Sequence, residues 1–298
     1  AKSRNYDVVL ITHDFLTKCP YLVKFLTKPC IYLCHETMRE FYEPIFWHIS
    51  TFPHLLINLL RLPLKIIDYI NVRRIKLVVT TSKFSKNFLE KIYNKKIFLI
   101  RAGVDYKKFI YKREKRKKIL LSVGALVRLK GFDFLIKSLS FIPKKFRLTL
   151  LLVGNGGNDE KYFRLLAKRK GVKLLIKKNI SDKELIDIYN KAYLLVYAPL
   201  REPLGLVTLE AMACGLPVIG VKEGGIVETL NNIGFLVERD EKKYSKIVYK
   251  LINNSTLIEA MRSKVRSYVI KNWSWNQGSK QLERYITNLS LNLKNEKD

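Results

Sequence analysis

Two glutamates eight positions apart, Glu202 and Glu210, mark the stretch in which this sequence could do chemistry. An apolar run from Ala192 to Ala198 stops at Pro199 as a buried strand does. Arg201 and Glu202 fall in the loop that follows, and a helix pattern begins near Gly205. At about 3.6 residues per turn, Glu210 lies about two turns into that helix. Between the carboxylates, the unpaired amides of the first turn, Gly205, Leu206 and Val207, face the loop with the helix dipole behind them. That arrangement suits a phosphate. Gly205 lets a ligand come close, and Leu204 sits beside it. A second strand pattern, Pro217 to Val221, leads to Gly224, Gly225 and Glu228, where backbone can again approach a ligand. Carboxylates accept from vicinal hydroxyls and helix-start amides hold a diphosphate, so the two together describe a nucleotide-sugar site.

The elements that must position these groups alternate between apolar strands and helices, which predicts an α/β fold with parallel sheets. Strands are expected at Asp7–Thr12, ending at His13, and at Cys30–Cys34, ending at His35. A third is expected at Ile75–Thr81, before a helix capped near Ser82. Ligands collect at the C-terminal strand ends of such sheets, which is where His13 and His35 fall. Further on, the strand Ile119–Val123 ends in Gly124, and a short loop carries Arg128 and Lys130. Gly131 then precedes a helix with Phe132, Leu135, Ile136 and Leu139 on one face. This order puts the Lys130 ammonium at a strand end, where it can meet a diphosphate. Leu148 to Gly157 reads as a strand and glycine turn, and Ser181 caps a helix with Glu184 at its third position.

The run Glu202, Glu210, Ala211-Met212-Ala213, Gly215-Leu216-Pro217-Val218-Ile219 and Gly224-Gly225 with Glu228 resembles the retaining GT-B glycosyltransferases of family 4, also called glycosyl transferases group 1. Gly103-Val104-Asp105 through Phe109 is similar to that family's interdomain connection, and Lys130-Gly131 to its K-G pair. Trp273-Ser274-Trp275 is similar to its closing segment. The resemblance implies two Rossmann-like domains facing a cleft: residues 1–110 on the acceptor side, 111–275 for the nucleotide-sugar donor, and 276–298 as a helix returning to the first domain. It implies transfer of a hexose from a nucleotide-diphosphate sugar, UDP- or GDP-linked, to a glycan or lipid-linked acceptor with retention of configuration, without a metal or cofactor. Lys130, Glu202 and His35 are the expected catalytic groups. Gly124, Arg128, Lys130, Glu202, Leu204, Gly205, Leu206, Val207 and Glu210 are the expected donor contacts. Two departures stand out. Ala125 replaces an arginine that often follows the first glycine, with Arg128 as the candidate substitute. All 14 glycines lie at or beyond Gly103, so the family's early glycine-rich loop has no counterpart and the N-terminal domain is expected to be incomplete.

The chain has 298 residues, 48% of them hydrophobic, enough to bury a sizeable core in two domains. Its 56 basic and 26 acidic residues give a formal charge of +30, a field that attracts diphosphates, anionic lipid or nucleic acid. No nucleic-acid module or zinc spacing appears, so nucleic acid is not an expected partner. Cys19, Cys30, Cys34 and Cys214 form no CxxC pair, as in a reduced cytosolic protein. The expected place is the cytoplasm, with the inner face of a membrane as the alternative. Pro44 to Leu60 holds no charged residue but is too interrupted to span a bilayer. Phe46, Trp47, Phe52, Leu55 and Leu56 beside Arg61, Lys65, Arg73 and Arg74 suit either a headgroup layer or a buried helix. The basic run Lys112–Lys118 reads as a solvated linker face, with contact to anionic lipid as the alternative. A glycosidase carboxylate pair is the rival chemistry, and a basic nucleic-acid- or membrane-binding protein without catalysis is the rival class.

Overall fold

Short β-branched and leucine-rich runs, apolar on both faces, need cover on both sides, and this chain supplies it with helices. A computed structural model describes residues 6–13, 17–43 and 59–295. It divides into two units: 1–102 with 276–298, and Gly103–Trp275.

In the first unit, β1 (Val9–Ile11), β2 (Cys30–Leu33), β3 (Leu77–Thr80) and β4 (Phe98–Leu99) pair in that order, all parallel. The helices α1 (Arg39–Tyr42), α2 (Leu62–Arg74) and α3 (Lys83–Tyr93) accompany them. Ser82 caps α3 as expected, its hydroxyl accepting from the Ser85 amide at 3.0 Å. One core cluster gathers Cys30, Tyr32, Val78, Leu89 and Tyr93. On the other face, Ile31, Val79 and Ile100 meet Leu282, Tyr285, Ile286 and Leu289 of the C-terminal helix Trp275–Asn295. The 44–58 segment, with Phe46, Trp47, Phe52, Leu55 and Leu56, lies outside the described residues.

The second unit is built on β5 (Ile119–Val123), β6 (Thr149–Val153), β7 (Leu174–Lys177), β8 (Leu194–Tyr197), β9 (Val218–Val221) and β10 (Phe235–Val237). They form one parallel sheet in the order β10-β9-β8-β5-β6-β7. Its helices are α4 (Phe132–Ser140), α5 (Glu160–Lys170), α6 (Asp182–Lys191), α7 (Leu206–Ala213), α8 (Ile226–Leu230), α9 (Glu241–Ile252) and α10 (Ser255–Asn272). Ser181 and Glu184 close the capping box expected at the start of α6. One cluster, with Leu120, Phe132, Leu135, Leu152, Leu194, Val196 and Ile219 among its members, fills the layer on one face of the sheet, while Leu121, Leu151, Leu195 and Val218 are buried on the other. This is the doubly wound α/β arrangement, in which the chain reverses direction across the sheet between β5 and β8. Ligands of such folds collect at the C-terminal strand ends beside the switch point, where Gly124 and Ala198 stand.

Candidate functional site

The loops leaving β5 and β8 meet over the switch point, and they carry Lys130 and Glu202. The first turns tightly through a 3-10 helix, Arg128–Lys130, and re-enters at Gly131, whose φ of +67° is left-handed. A Cβ at Gly131 would collide with the Ala198 carbonyl, so only glycine lets α4 start this close to the end of β8. The Leu200 amide then donates to the Leu129 carbonyl at 2.9 Å and ties one loop to the other. The Lys130 stem lies across Gly124, where an added Cβ would come within 3.1 Å of its Cγ. The ammonium that results sits 2.8 Å from Glu202 Oε2, with the two side chains 25% and 18% exposed. An anion or a hydroxyl can reach both groups without unfolding anything.

The Glu202 backbone is fixed from beneath. Gly224, at φ +63°, packs so closely that a Cβ there would fall 2.5 Å from the Glu202 carbonyl oxygen. The Gly225 amide donates to that same oxygen at 2.8 Å. Arg239, just beyond β10, braces the assembly. Its Nε and Nη2 donate to the two Glu223 carboxylate oxygens at 2.7 and 2.9 Å, and Nη2 also donates to the Ala198 and Pro199 carbonyls at 3.1 and 2.9 Å. Sequence reading missed Arg239, because nothing local tells an arginine that braces carbonyls from one that faces water.

Helix α7 starts at Gly205, φ +91°, with no side-chain cap and no acidic residue in its first turn. The amides of Leu206 and Val207 therefore begin a helix whose positive end no side chain has neutralised. Leu204 is buried and Leu206 is exposed. Thr208, buried in the next turn, donates to the Gly205 carbonyl at 2.7 Å and lies 2.9 Å from Thr229 of α8. Glu210 follows, half-buried, with Oε2 accepting from the Tyr189 hydroxyl at 2.8 Å. Burial pushes the Glu210 carboxyl above its ordinary range, while the Tyr189 hydrogen bond and the Lys108 charge pull the other way. Lys108 itself pairs with Asp182 at 2.6 Å.

The other end of α7 corrects one expectation. The run Lys112–Lys118 is not simply a solvated face: Arg113, Lys115, Lys117 and Lys118 are exposed, but Arg116 turns inward. Its two terminal nitrogens donate to the carbonyls of Tyr189, Ala192, Cys214 and Gly215. Arg266 donates to Phe109 and Ala213. Burial, with the neighbouring Arg262 charge, lowers the Arg116 guanidinium to about 10. Apart from that of Phe109, these carbonyls are orphan acceptors at the C-terminal ends of α6 and α7, where cations also meet the negative end of the helix dipole.

Arg128 stacks its guanidinium 4.5 Å from the Tyr162 ring centre, with Nε 3.8 Å from Asp159. The glycine turn after β6 supports the same loop, the Leu126 amide donating to Gly156 at 2.9 Å. His35 belongs to the first unit, beyond the end of β2, with its ring edge-on to His13 at 6.1 Å. Desolvation and the His13 charge hold it below the usual imidazole value, with Glu36 opposing. Within the second unit the structure thus joins Lys130 to Glu202 over Gly124, and sets Glu210 against Tyr189 further along the helix that starts after Gly205.

The family described as "Glycosyl transferases group 1" matches residues 104–271. The chain is 29% identical over 193 residues to human alpha-1,3/1,6-mannosyltransferase ALG2, covering 60% of this chain and 44% of that protein. It is 33% identical over 160 residues to the capsular polysaccharide biosynthesis glycosyltransferase CapM of Staphylococcus aureus, covering 51% and 41%. It is 27% identical over 263 residues to the O-antigen chain mannosyltransferase RfbU of Salmonella typhimurium, covering 81% and 69%. The chain spans less than half the length of the first two. Among solved structures, sucrose-phosphate synthase from Thermosynechococcus elongatus superposes with a TM-score of 0.78 at 20% identity, over 95% of this chain and 74% of that one. Anabaena Alr3699/HepE in complex with UDP-glucose gives 0.71 at 18% identity, over 88% and 72%. At these identities the likeness is one of fold.

Proposed function

The chain belongs to the glycosyl transferases group 1 family, and from that premise we propose that it moves a hexose from a nucleoside diphosphate sugar to a glycan or lipid-linked acceptor, with retention of configuration. The observation that carries this reading is the Lys130–Glu202 pair set beside the uncapped start of α7 at the switch point. A diphosphate entering there takes the Lys130 ammonium and the Leu206 and Val207 amides as its counter-charges. Glu202, released from Lys130, accepts from sugar hydroxyls. As the bond between the anomeric carbon and the diphosphate breaks, negative charge grows on the leaving oxygen. It is the charge on Lys130 and the helix start that stabilises it. Gly124 lies under the lysine stem and Glu210 accepts from the ribose. His35 is assigned to the acceptor side. Mannose is the hexose in the names of two relatives, and UDP-glucose is the ligand of one structural neighbour; the donor here is a UDP- or GDP-sugar of that kind.

We assign the acceptor side to an anionic membrane surface on the cytoplasmic face. Tyr21, Leu22 and Phe25 are exposed in the first unit, and Lys24, Lys28, Arg74 and Lys76 line a neighbouring crevice of about 340 Å³ with no acidic residue. Apolar side chains among cations suit an anionic headgroup layer. No described helix is long and apolar enough to cross a membrane.

Thermal unfolding tests the donor site. UDP, GDP and ADP are added to the wild type and to Glu210→Ala. A ligand at 100 times its dissociation constant adds about 2.7 kcal/mol, read as a raised midpoint. Stabilisation by one base, lost in Glu210→Ala, is the expected result. No shift from any nucleotide on a cooperatively folding wild type overturns the reading.

A further inference from the structure

Tyr189 and Arg116 lie outside the motif that identifies the family; the first bonds Glu210 directly, and the second ties together the helices that carry Tyr189 and Glu210. Tyr189 is fully buried on α6, with its ring edge-on to Phe109 at 6.1 Å. Its hydroxyl donates to Glu210 Oε2, while Oε1 takes no hydrogen bond from the described residues. The helices bearing the two residues are fastened together at their C-terminal ends. Arg116 Nη1 donates to the Tyr189 carbonyl at 2.5 Å and to Ala192 at 3.1 Å, at the end of α6. Its Nη2 donates to Gly215 at 2.7 Å and Cys214 at 3.3 Å, at the end of α7. A planar guanidinium can span four carbonyls on two helices, which the point charge of a lysine cannot.

We propose that Tyr189, held in register by Arg116, is a positioning residue that makes this site select ribonucleotides over deoxyribonucleotides. With Oε2 occupied, the Glu210 carboxylate cannot rotate freely, and Oε1 becomes a single acceptor of fixed direction for the hydroxyls of a ribose. A hydrogen bond to a charged acceptor costs less to form when the acceptor's direction is set beforehand. Without the tyrosine hydroxyl the carboxylate turns, and part of its acceptor strength goes to water. The inference rests on the reading of Glu210 as the ribose acceptor.

Isothermal titration of UDP and GDP, each beside its 2′-deoxy and 3′-deoxy counterparts, tests it on the wild type, Tyr189→Phe and Arg116→Lys, with melting curves to verify folding. The wild type should prefer the ribo form by about tenfold or more, the size of one charged hydrogen bond. In Tyr189→Phe the preference should fall to within about twofold, with the deoxy affinities unchanged. Arg116→Lys should fall between the two, and it serves as the second variant should Tyr189→Phe fail to fold. A wild-type preference that survives intact in either folded variant overturns the proposal, and so does an equal loss of ribo and deoxy affinity, which marks a merely structural role. If the wild type binds ribo and deoxy forms equally, the ribose reading of Glu210 itself fails and takes this inference with it.

Discussion

The two ends of α7, a helix of eight residues, are treated in opposite ways. At its start the backbone donors have no side-chain cap, the residue before them is a left-handed glycine, and the loop leading in carries the half-buried Glu202 carboxylate paired with the Lys130 ammonium. At its finish, the carbonyls of Ala213, Cys214 and Gly215 accept from Arg266 and Arg116, which between them tie in α6 and the Phe109 segment as well. Both ends have the same need, since any helix leaves amides unpaired at one end and carbonyls at the other. The protein meets that need at one end only. The unmet donor set is the one the proposed donor site uses, and the met acceptor set is the anchor behind it.

Substitutions can break this contrast. The largest effect is expected from Lys130→Ala, which removes the side-chain cation at the open end. Transfer should slow by about 100- to 1,000-fold, the scale seen when a transition-state charge loses one partner. The melting point should hardly move, since Glu202 can turn to water. Sugar transfer assayed beside thermal unfolding checks this, and a large loss of stability would mean the pair is structural. At the anchored end the order reverses. Arg266→Met leaves the Phe109 and Ala213 carbonyls unmet and should cost about 1–3 kcal/mol of stability, read by urea unfolding, with a smaller effect on rate.

Acidity sharpens the comparison through Glu210, which lies between the two ends. Its carboxyl is raised by burial, against the opposing pull of Tyr189 and Lys108 and with Asp182 reinforcing the rise. Only the carboxylate accepts two hydroxyls, so nucleotide affinity should be lost as pH falls, and the loss should begin at a higher pH than for an ordinary glutamate. Titrating UDP or GDP binding from neutral pH downwards shows this, and Glu210→Ala should give a flatter profile. The smallest effect belongs to Lys108→Met. Its pair with Asp182 is open to water, so the melting point should not change measurably. A clear drop would show that the pair organises Glu210 from the outside.

Much of the frame was legible in the residues. The strands at Ile119–Val123 and Val218–Val221 follow from apolar runs bounded by glycine or proline, and the α6 capping box from Ser181 and Glu184 three apart. Glycines 131, 205 and 224 mark places where backbone must bend left-handed or pass close to another strand end. The spacing of Glu202 and Glu210 placed one carboxylate in a loop and the other on a helix. These features are local: each depends on neighbours within a few positions, so a single sequence carries them whole.

What the sequence could not carry is who meets whom across the sheet. Arg116 lies in a run of seven positions that is otherwise mostly exposed, and its partners are carbonyls 73 to 99 positions away. A carbonyl has no residue identity, so no letter of the sequence names it as a partner. Arg239 and Tyr189 escape notice for related reasons. The first braces the backbone of a strand end 40 and 41 positions back, and the second finds a carboxylate 21 positions on. The sequence by itself determined which elements form and which residues could do chemistry. The packing of parallel strands into one sheet, with order reversed between β5 and β8, alone decided that Lys130 meets Glu202 and that three arginines and a tyrosine hold the site in place.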